Sequence, residues 1–320
     1  FEESILSKFL KKIFFFKKDI NSLYFPKLFK YIKFLKNLNL DIVIIRIHGR
    51  IYTYTLAFII KFILKKKIIF YEQANSNLEH INGNSLFKFI RKIEFYIRLK
   101  LFSARWCTPL HYLENKLPKN CFYLPFTVNK KHVLKNYSDK FRILIIGKFQ
   151  NRKNQLMAVK LLEELIRNKK INLTIVGEVT TKEHIANFDK LNVYLEKNHL
   201  KEKVKIFKNI ENNTIEKFYL NCDLFFLPSY NEPASISILE AMSYGIPSIC
   251  HKTCGTKTYI KNNYNGFVLN KFNKHNITSL IQNLIRDRKL IKELSLNSIE
   301  HYTHYYDQEV FYKYFKKLIY

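Results

Sequence analysis

A chain of 320 residues, 47% hydrophobic and 25% charged, can bury a sizeable core and has the length of two domains at roughly 150 residues each. With only 7 Gly and 7 Pro it is neither collagen-like nor disordered, and its longest uncharged stretches, such as 51–60 and 241–251, fall short of the roughly 18 residues that cross a bilayer. The 55 basic against 26 acidic side chains, net +29, suit nucleic acid, an anionic membrane surface or a polyanionic substrate; the competing explanation is compositional, since the lysines run through the whole chain amid the Asn, Ile, Phe and Tyr of A/T-rich coding. Five cysteines at irregular spacing (Cys107, Cys121, Cys222, Cys250, Cys254) do not make a disulfide framework at this length and fit a reducing cytoplasm. The sequence opens on Phe1 with no charged-then-apolar leader, and is expected to lack its natural beginning.

In chain order, the stretch 25–38 sets Leu28, Phe29, Ile32 and Leu35 against Lys27, Lys30, Lys33 and Lys36, which predicts a basic amphipathic helix. Its plain reading is a surface helix of the first domain. A membrane-docking face is the alternative, and the aromatics between lysine pairs in 9–18 favour it. Strands are expected at 41–47, 67–71 and 105–108, with apolar helices at 53–64 and 86–102. The polar stretch 129–140 has no apolar periodicity and is the expected linker. Beyond it, strands at 142–146, 172–176, 204–207, 223–227, 247–250 and 266–269 alternate with helices at 156–166, 185–198, 214–219 and 235–243. A long helix follows, with Ile277, Leu280, Ile281, Leu284 and Ile285 on one face, and the aromatic tail 301–320 is helix-compatible. Such alternation predicts βαβ units on parallel sheets: an α/β chain with domains at 1–135 and 136–300 and a terminal helix at 301–320.

The chemistry is expected where ligands of open α/β sheets bind, at the carboxyl ends of the strands. After the first strand of the second half comes Gly147-Lys148-Phe149-Gln150-Asn151-Arg152-Lys153-Asn154, a strand-to-helix turn that brings cations to a helix N-terminus and so suits a diphosphate. Solvated surface lysines are the alternative for this run taken alone. Further on, Glu232 lies in a loop and Glu240 inside the next helix, eight positions apart across the helix start at Ser235 and Ile236. The first carboxylate can accept from sugar hydroxyls and the second from a ribose diol, two exposed glutamates being the alternative.

Together these residues resemble the retaining nucleotide-sugar glycosyltransferases of family 4, the GT-B group 1 enzymes. The pattern is Gly147, Lys148 and Lys153, then Glu232 and Glu240 followed by Ala241, Met242, Gly245 and Pro247, then Gly255-Thr256 and Asn265-Gly266-Phe267-Val268, and it spans most of 141–269. The resemblance implies two Rossmann-like, doubly wound domains facing a cleft, with the donor in the second, the acceptor in the first and the last helix crossing back. It also implies diphosphate binding by Gly147, Lys148 and Lys153, further donor contacts from Ser235 and Ile236, a ribose contact from Glu240 and a catalytic sugar contact from Glu232.

Three departures stand out. Lys148 replaces the family's Arg and loses its bidentate geometry, Pro233-Ala234 replaces Gly-Phe, and only Gly49 and Gly83 precede residue 140, so that the opening βα unit of the first domain is expected to be missing. Glu72, after the strand 67–71, and His48, after 41–47, are the catalytic candidates on the acceptor side; a lone His after a strand is more often structural. No Asp-x-Asp pair occurs, and Cys250, His251 and Cys254 lack a fourth ligand at zinc spacing, so no metal and no cofactor beyond the nucleotide diphosphate sugar donor is expected.

The sequence thus predicts a metal-independent hexosyltransferase acting with retention on a glycan or lipid-linked acceptor of cell-envelope polysaccharide or lipopolysaccharide, cytoplasmic and with the inner face of the plasma membrane as a docking surface. The alternatives are another GT-B nucleotide-sugar enzyme, of synthase or phosphorylase type, and a basic nucleic-acid binder. The latter calls for an aromatic platform or binding motif that the sequence lacks.

Overall fold

The structure is a computed structural model that describes residues 15–18, 24–26, 28–38, 40–46, 50–73, 86–110, 117, 120–129 and 138–320. The chain divides into two compact units, Phe1–Leu124 with Tyr314–Tyr320, and Pro125–Lys313.

In the first unit, strands β1 (Phe15–Lys18) and β2 (Tyr24–Pro26) pair antiparallel, and helix α1 (Leu28–Asn37) follows. Leu35 of α1 is buried while Phe29 is 86% exposed. A separate four-stranded sheet holds β3 (Ile42–Arg46), β4 (Lys67–Tyr71), β5 (Arg105–Thr108) and β6 (Cys121–Tyr123) in that order, every pair parallel. Helix α2 (Arg50–Phe58), which widens into a π-helical turn at Ile59–Ile63, connects β3 to β4, and α3 (Leu86–Leu101) precedes β5. Strand β6 is only three residues long, too short to show alternation in the sequence. The Arg105 guanidinium donates to the carbonyls of Leu318 and Tyr320 at 2.6 and 3.0 Å and ties the chain end to this sheet.

The second unit is a six-stranded sheet in the order β12-β11-β10-β7-β8-β9, with all neighbours parallel. Its strands are β7 (Phe141–Ile146), β8 (Ile171–Gly177), β9 (Val204–Lys208), β10 (Leu224–Leu227), β11 (Ser248–His251) and β12 (Gly266–Leu269). Helices α4 (Gln155–Arg167), α5 (Lys182–Lys197), α6 (Glu216–Leu220) and α7 (Ile236–Ser243) fall between them, and α8 (Lys274–Arg286) comes after the last. Side chains of a strand alternate between faces, so Ile143 and Ile145 of β7 join one apolar cluster and Leu144 the other, and the sheet is buried on both sides.

The tail is not a single helix. Helix α9 (Arg288–Tyr305), capped by the Asp287 carboxylate on the backbone N–H groups of Lys289 and Leu290, already occupies the start of the predicted 301–320 segment. Tyr306 leaves helical geometry at φ −135°, buried against Tyr259 with ring centroids 4.4 Å apart, before α10 (Gln308–Ile319) begins. The division between units falls at Leu124–Pro125, ahead of the polar 129–140 stretch. Phe126 and Val128 pack on the second unit's core, the Tyr259 hydroxyl accepts from the Phe126 N–H at 3.3 Å, and the Tyr302 hydroxyl donates to the Val128 carbonyl. Apolar anchoring thus sets the boundary, where polar composition alone had suggested a later one. Among the described residues no helix is long and apolar enough to cross a membrane.

Candidate active site

Chain order in the second sheet reverses between β7 and β10: after β7 the chain builds β8 and β9 on one side, then returns to build β10 to β12 on the other. Loops leaving the carboxyl ends of strands on either side of such a point diverge and open a crevice. A cavity of about 590 Å³ lies there, lined by residues that follow β7, β8, β9 and β10 and by the start of α7.

The turn after β7 is shaped from within. The Gln155 side-chain amide donates to the carbonyls of Gly147 and Lys148 at 3.1 and 3.0 Å, Phe149 is buried edge-on against Phe188, and Asn154 takes a left-handed conformation that launches α4. Gly177 at the end of β8 is required by close approach, since a Cβ there would lie 2.5 Å from the Gly147 carbonyl oxygen. The Tyr230 N–H donates to the Arg152 carbonyl at 3.2 Å, which ties this turn to the loop after β10.

Three cations enter the cavity from the turn, and each already meets a carboxylate. Lys153 Nζ lies 2.6 Å from Glu232 Oε2, and the Arg152 guanidinium shares the same oxygen. Burial pushes the Lys153 ammonium below its ordinary range, and the charge and hydrogen bond of Glu232 oppose the shift. Lys148 Nζ lies 3.0 Å from Glu178 Oε2, whose other oxygen accepts from the Thr180 hydroxyl at 2.5 Å. Burial would raise the Glu178 carboxyl, but these hydrogen bonds and the Lys148 charge outweigh it and hold it low. Surplus positive charge therefore stands ready at the turn, and an incoming anion would compete with carboxylates for it.

Opposite, Glu232 is buried in the loop before α7, with its carbonyl accepting from the Gly255 N–H at 2.8 Å. The Ser235 N–H donates to Thr256 Oγ1 at 3.2 Å, and the Ser235 and Ser237 hydroxyls pair at 2.7 Å, so the N-terminus of α7 opens on the cavity with no side-chain cap from Ser235. Such an end carries backbone donors and positive dipole toward an anion. Glu240 Oε2 accepts from the Tyr219 hydroxyl at 2.7 Å, and Tyr219 stacks on Tyr244 with ring centroids 5.2 Å apart. Burial raises the Glu240 carboxyl, partly offset by the Tyr219 hydrogen bond.

Gly147, Lys148, Lys153, Glu232, Ser235, Ile236 and Glu240, separated by up to 93 positions in sequence, thus line one cavity. Glu72 does not belong to it. That side chain is 3% exposed in the first unit and accepts from the Trp106 indole N–H at 3.1 Å. His48 lies outside the described residues. Reading from sequence passed over Glu178, Asn209 and the role of Arg152, although each lies in the segment that follows a predicted strand, and that position was the signal. Among the described residues no three His, Cys, Asp or Glu side chains gather as a metal set. Near Cys250, both His251 ring nitrogens are held by the protein, one by Thr253 Oγ1 and one by the Asn270 carbonyl, each at 2.8 Å.

The family model of glycosyl transferases group 1 matches residues 127–301, more than half of the chain and the whole of this site. This chain belongs to that family. It is 30% identical over 91 residues to a glycogen synthase of Bacillus cytotoxicus, covering 27% of this chain and 19% of the relative. It is 28% identical over 173 residues to the UDP-Gal:alpha-D-GlcNAc-diphosphoundecaprenol alpha-1,3-galactosyltransferase of Escherichia coli, covering 52% of this chain and 42% of the relative. The chain spans about half or less of the length of the curated relatives it matches. Among solved structures, a glycosyltransferase from Rickettsia africae superposes with a TM-score of 0.73 over 98% of this chain and 87% of its own, at 17% identity. That likeness shows the fold, the two-unit Rossmann-like GT-B type.

Proposed function

We propose that this group 1 family member transfers a hexose from a nucleotide diphosphate sugar to a glycan or lipid-linked acceptor of the cell envelope, with retention of configuration and without a metal. The single observation that supports it most is the convergence of Lys148, Arg152, Lys153 and the α7 N-terminus on one cavity that also holds two separated carboxylates. In this reading the diphosphate seats between the turn and α7, Glu240 accepts from the ribose and Glu232 orients the sugar. As the bond from the anomeric carbon to the phosphate oxygen breaks, its electron pair leaves with the diphosphate, and preorganised cations and amides stabilise the charge that develops. The acceptor hydroxyl oxygen forms the new bond to the anomeric carbon, and its proton passes to the departing diphosphate oxygen.

The UDP-Gal and diphosphoundecaprenol in the name of the E. coli relative support the acceptor class and a uridine nucleotide as the first donor to try. A cytoplasmic location at the inner face of the plasma membrane is part of the same proposal. A second reading, α-glucan synthesis from a nucleotide sugar, is favoured by the glycogen synthase match. The test is a donor screen that reads nucleotide diphosphate release with a lipid-linked sugar, with glycogen and with neither, and the anomeric configuration of the product by NMR. Release that needs the lipid-linked acceptor and survives EDTA is expected. Release that needs glycogen selects the second reading, and no release from any donor, with no nucleotide binding by calorimetry, removes the proposal.

A further inference from the structure

Helix α3 of the first unit is apolar on two faces. Phe95 and Leu99 point into the core at 4% and 6% exposure, whereas Phe89, Ile93, Ile97 and Leu101 recur every fourth residue on the outside, each more than 40% exposed. At 1.5 Å per residue that outer row runs roughly 18 Å. Phe58 and Phe62, at the end of α2 and in its π-helical turn, lie beside it with ring centroids 4.9 Å apart and expose about half of their surface. Between the two helices runs a groove of about 680 Å³. Three polar side chains that line it cluster together: the Tyr54 hydroxyl donates to Glu94 at 2.5 Å, and Arg98 lies 3.7 Å from the same carboxylate and 5.1 Å over the Tyr54 ring. In the second unit the exposed large apolar side chains are scattered, among them Ile185, Val193, Ile236 and Leu296. Single exposed apolar residues are ordinary, but a contiguous row is a contact surface.

Charge selects the occupant. Segments 50–67 and 86–101 hold ten basic residues against one acid, Glu94, which Tyr54 and Arg98 already engage. Lys65, Lys67 and Lys100 are exposed. A second copy seated symmetrically on this face would bring like charges together, whereas an anionic bilayer takes apolar side chains below its headgroups and cations among them. We infer that the α2–α3 face of the first unit docks on an anionic lipid bilayer, with Phe58, Phe62, Ile93 and Ile97 entering the interface. This extends the proposed membrane association to a defined surface other than the basic helix α1. It does not depend on the transferase reading, because lipid binding is measured with neither donor nor acceptor.

The experiment is co-flotation of the full chain with phosphatidylcholine vesicles and with phosphatidylcholine:phosphatidylglycerol 7:3 vesicles, alongside sedimentation velocity without lipid. The wild type should float with the anionic vesicles at least about 10-fold more strongly than with the neutral ones and lose binding as salt rises. Ile93→Asn/Ile97→Asn, uncharged changes at exposed positions, should cut anionic-vesicle binding by about 10-fold or more with an unaltered melting temperature. Lys65→Gln/Lys67→Gln/Lys100→Gln should weaken anionic-vesicle binding several-fold and flatten its salt dependence. If the Ile93/Ile97 variant melts as the wild type but floats equally well, the face is wrong. No flotation of the wild type overturns the proposal outright. So does a lipid-free dimer that the same two substitutions dissociate, because the face would then belong to a second copy.

Discussion

Each unit buries a glutamate just beyond a parallel strand, and the two are held in different ways. Glu72, after β4, accepts from the Trp106 indole N–H within its own unit. Glu232, in the loop after β10, is as deeply buried, at 4% against 3%, yet it pairs directly with two cations at the wall of an open cavity. The Trp106 hydrogen bond joins the end of β4 to β5 and helps that unit hold its shape. A carboxylate balanced by cations that an anionic ligand can claim is available to chemistry. Asp223 completes the comparison. Fully buried before β10, it takes three hydrogen bonds from Arg142 at 2.8, 3.0 and 2.8 Å, so ionic pairing alone does not mark a site; position at the carboxyl ends of the strands does.

The largest effect expected on this basis is structural. Asp223→Ala removes a fully buried carboxylate that takes three hydrogen bonds from half-buried Arg142 and should cost about 3–5 kcal/mol in urea unfolding, while the fraction that stays folded binds nucleotide normally. Glu232→Gln should instead lower kcat on the order of 10²-fold with little change in melting temperature. A loss of turnover that only tracked melting would place Glu232 with Asp223. Lys153→Ala, Arg152→Ala and Lys148→Ala should each weaken nucleotide diphosphate binding in calorimetry by roughly 1.5–3 kcal/mol, Lys153 most because it is the most buried of the three. Intact affinity in Lys153→Ala removes the diphosphate assignment. Glu72→Gln keeps an acceptor for Trp106 and should cost about 0.5–1.5 kcal/mol of stability with kcat/KM unchanged. A selective fall in turnover would break the contrast between the units and give Glu72 a catalytic role.

The smallest effect concerns Glu240, whose carboxyl burial raises above its ordinary 4.5. A group that titrates higher folded than unfolded contributes stability that is fully present below the unfolded value and is lost as pH rises through the folded one. Glu240→Gln cannot ionise and should therefore melt at or above the wild type at neutral pH, with the difference shrinking as pH falls through the raised folded value and gone once pH is below 4.5. A lower melting temperature for the variant at neutral pH would contradict this, and its donor KM should rise in any case.

By itself the sequence determined the strands and most of the helices of the second unit, though not α9 or the unit's first residue. The β-branched runs 142–146 and 172–176 became β7 and β8 within a residue at each end, because strands buried on both faces are continuously apolar and bounded by polar turns. It also named seven of the residues that gather in the cavity, though not Glu178, Asn209 or the role of Arg152, since the ends of parallel strands meet wherever chain order reverses. Only the tertiary structure decided the pairings. Nothing in the spacing of Lys148, Lys153 and Glu232 says that the second lysine meets Glu232 while the first meets Glu178, a residue 30 positions away whose approach depends on sheet order. Nor does periodicity separate the inner apolar row of α3 from the outer one. Phe95 and Ile97 are equally apolar as letters, and the sheet that covers one and leaves the other exposed is a long-range fact.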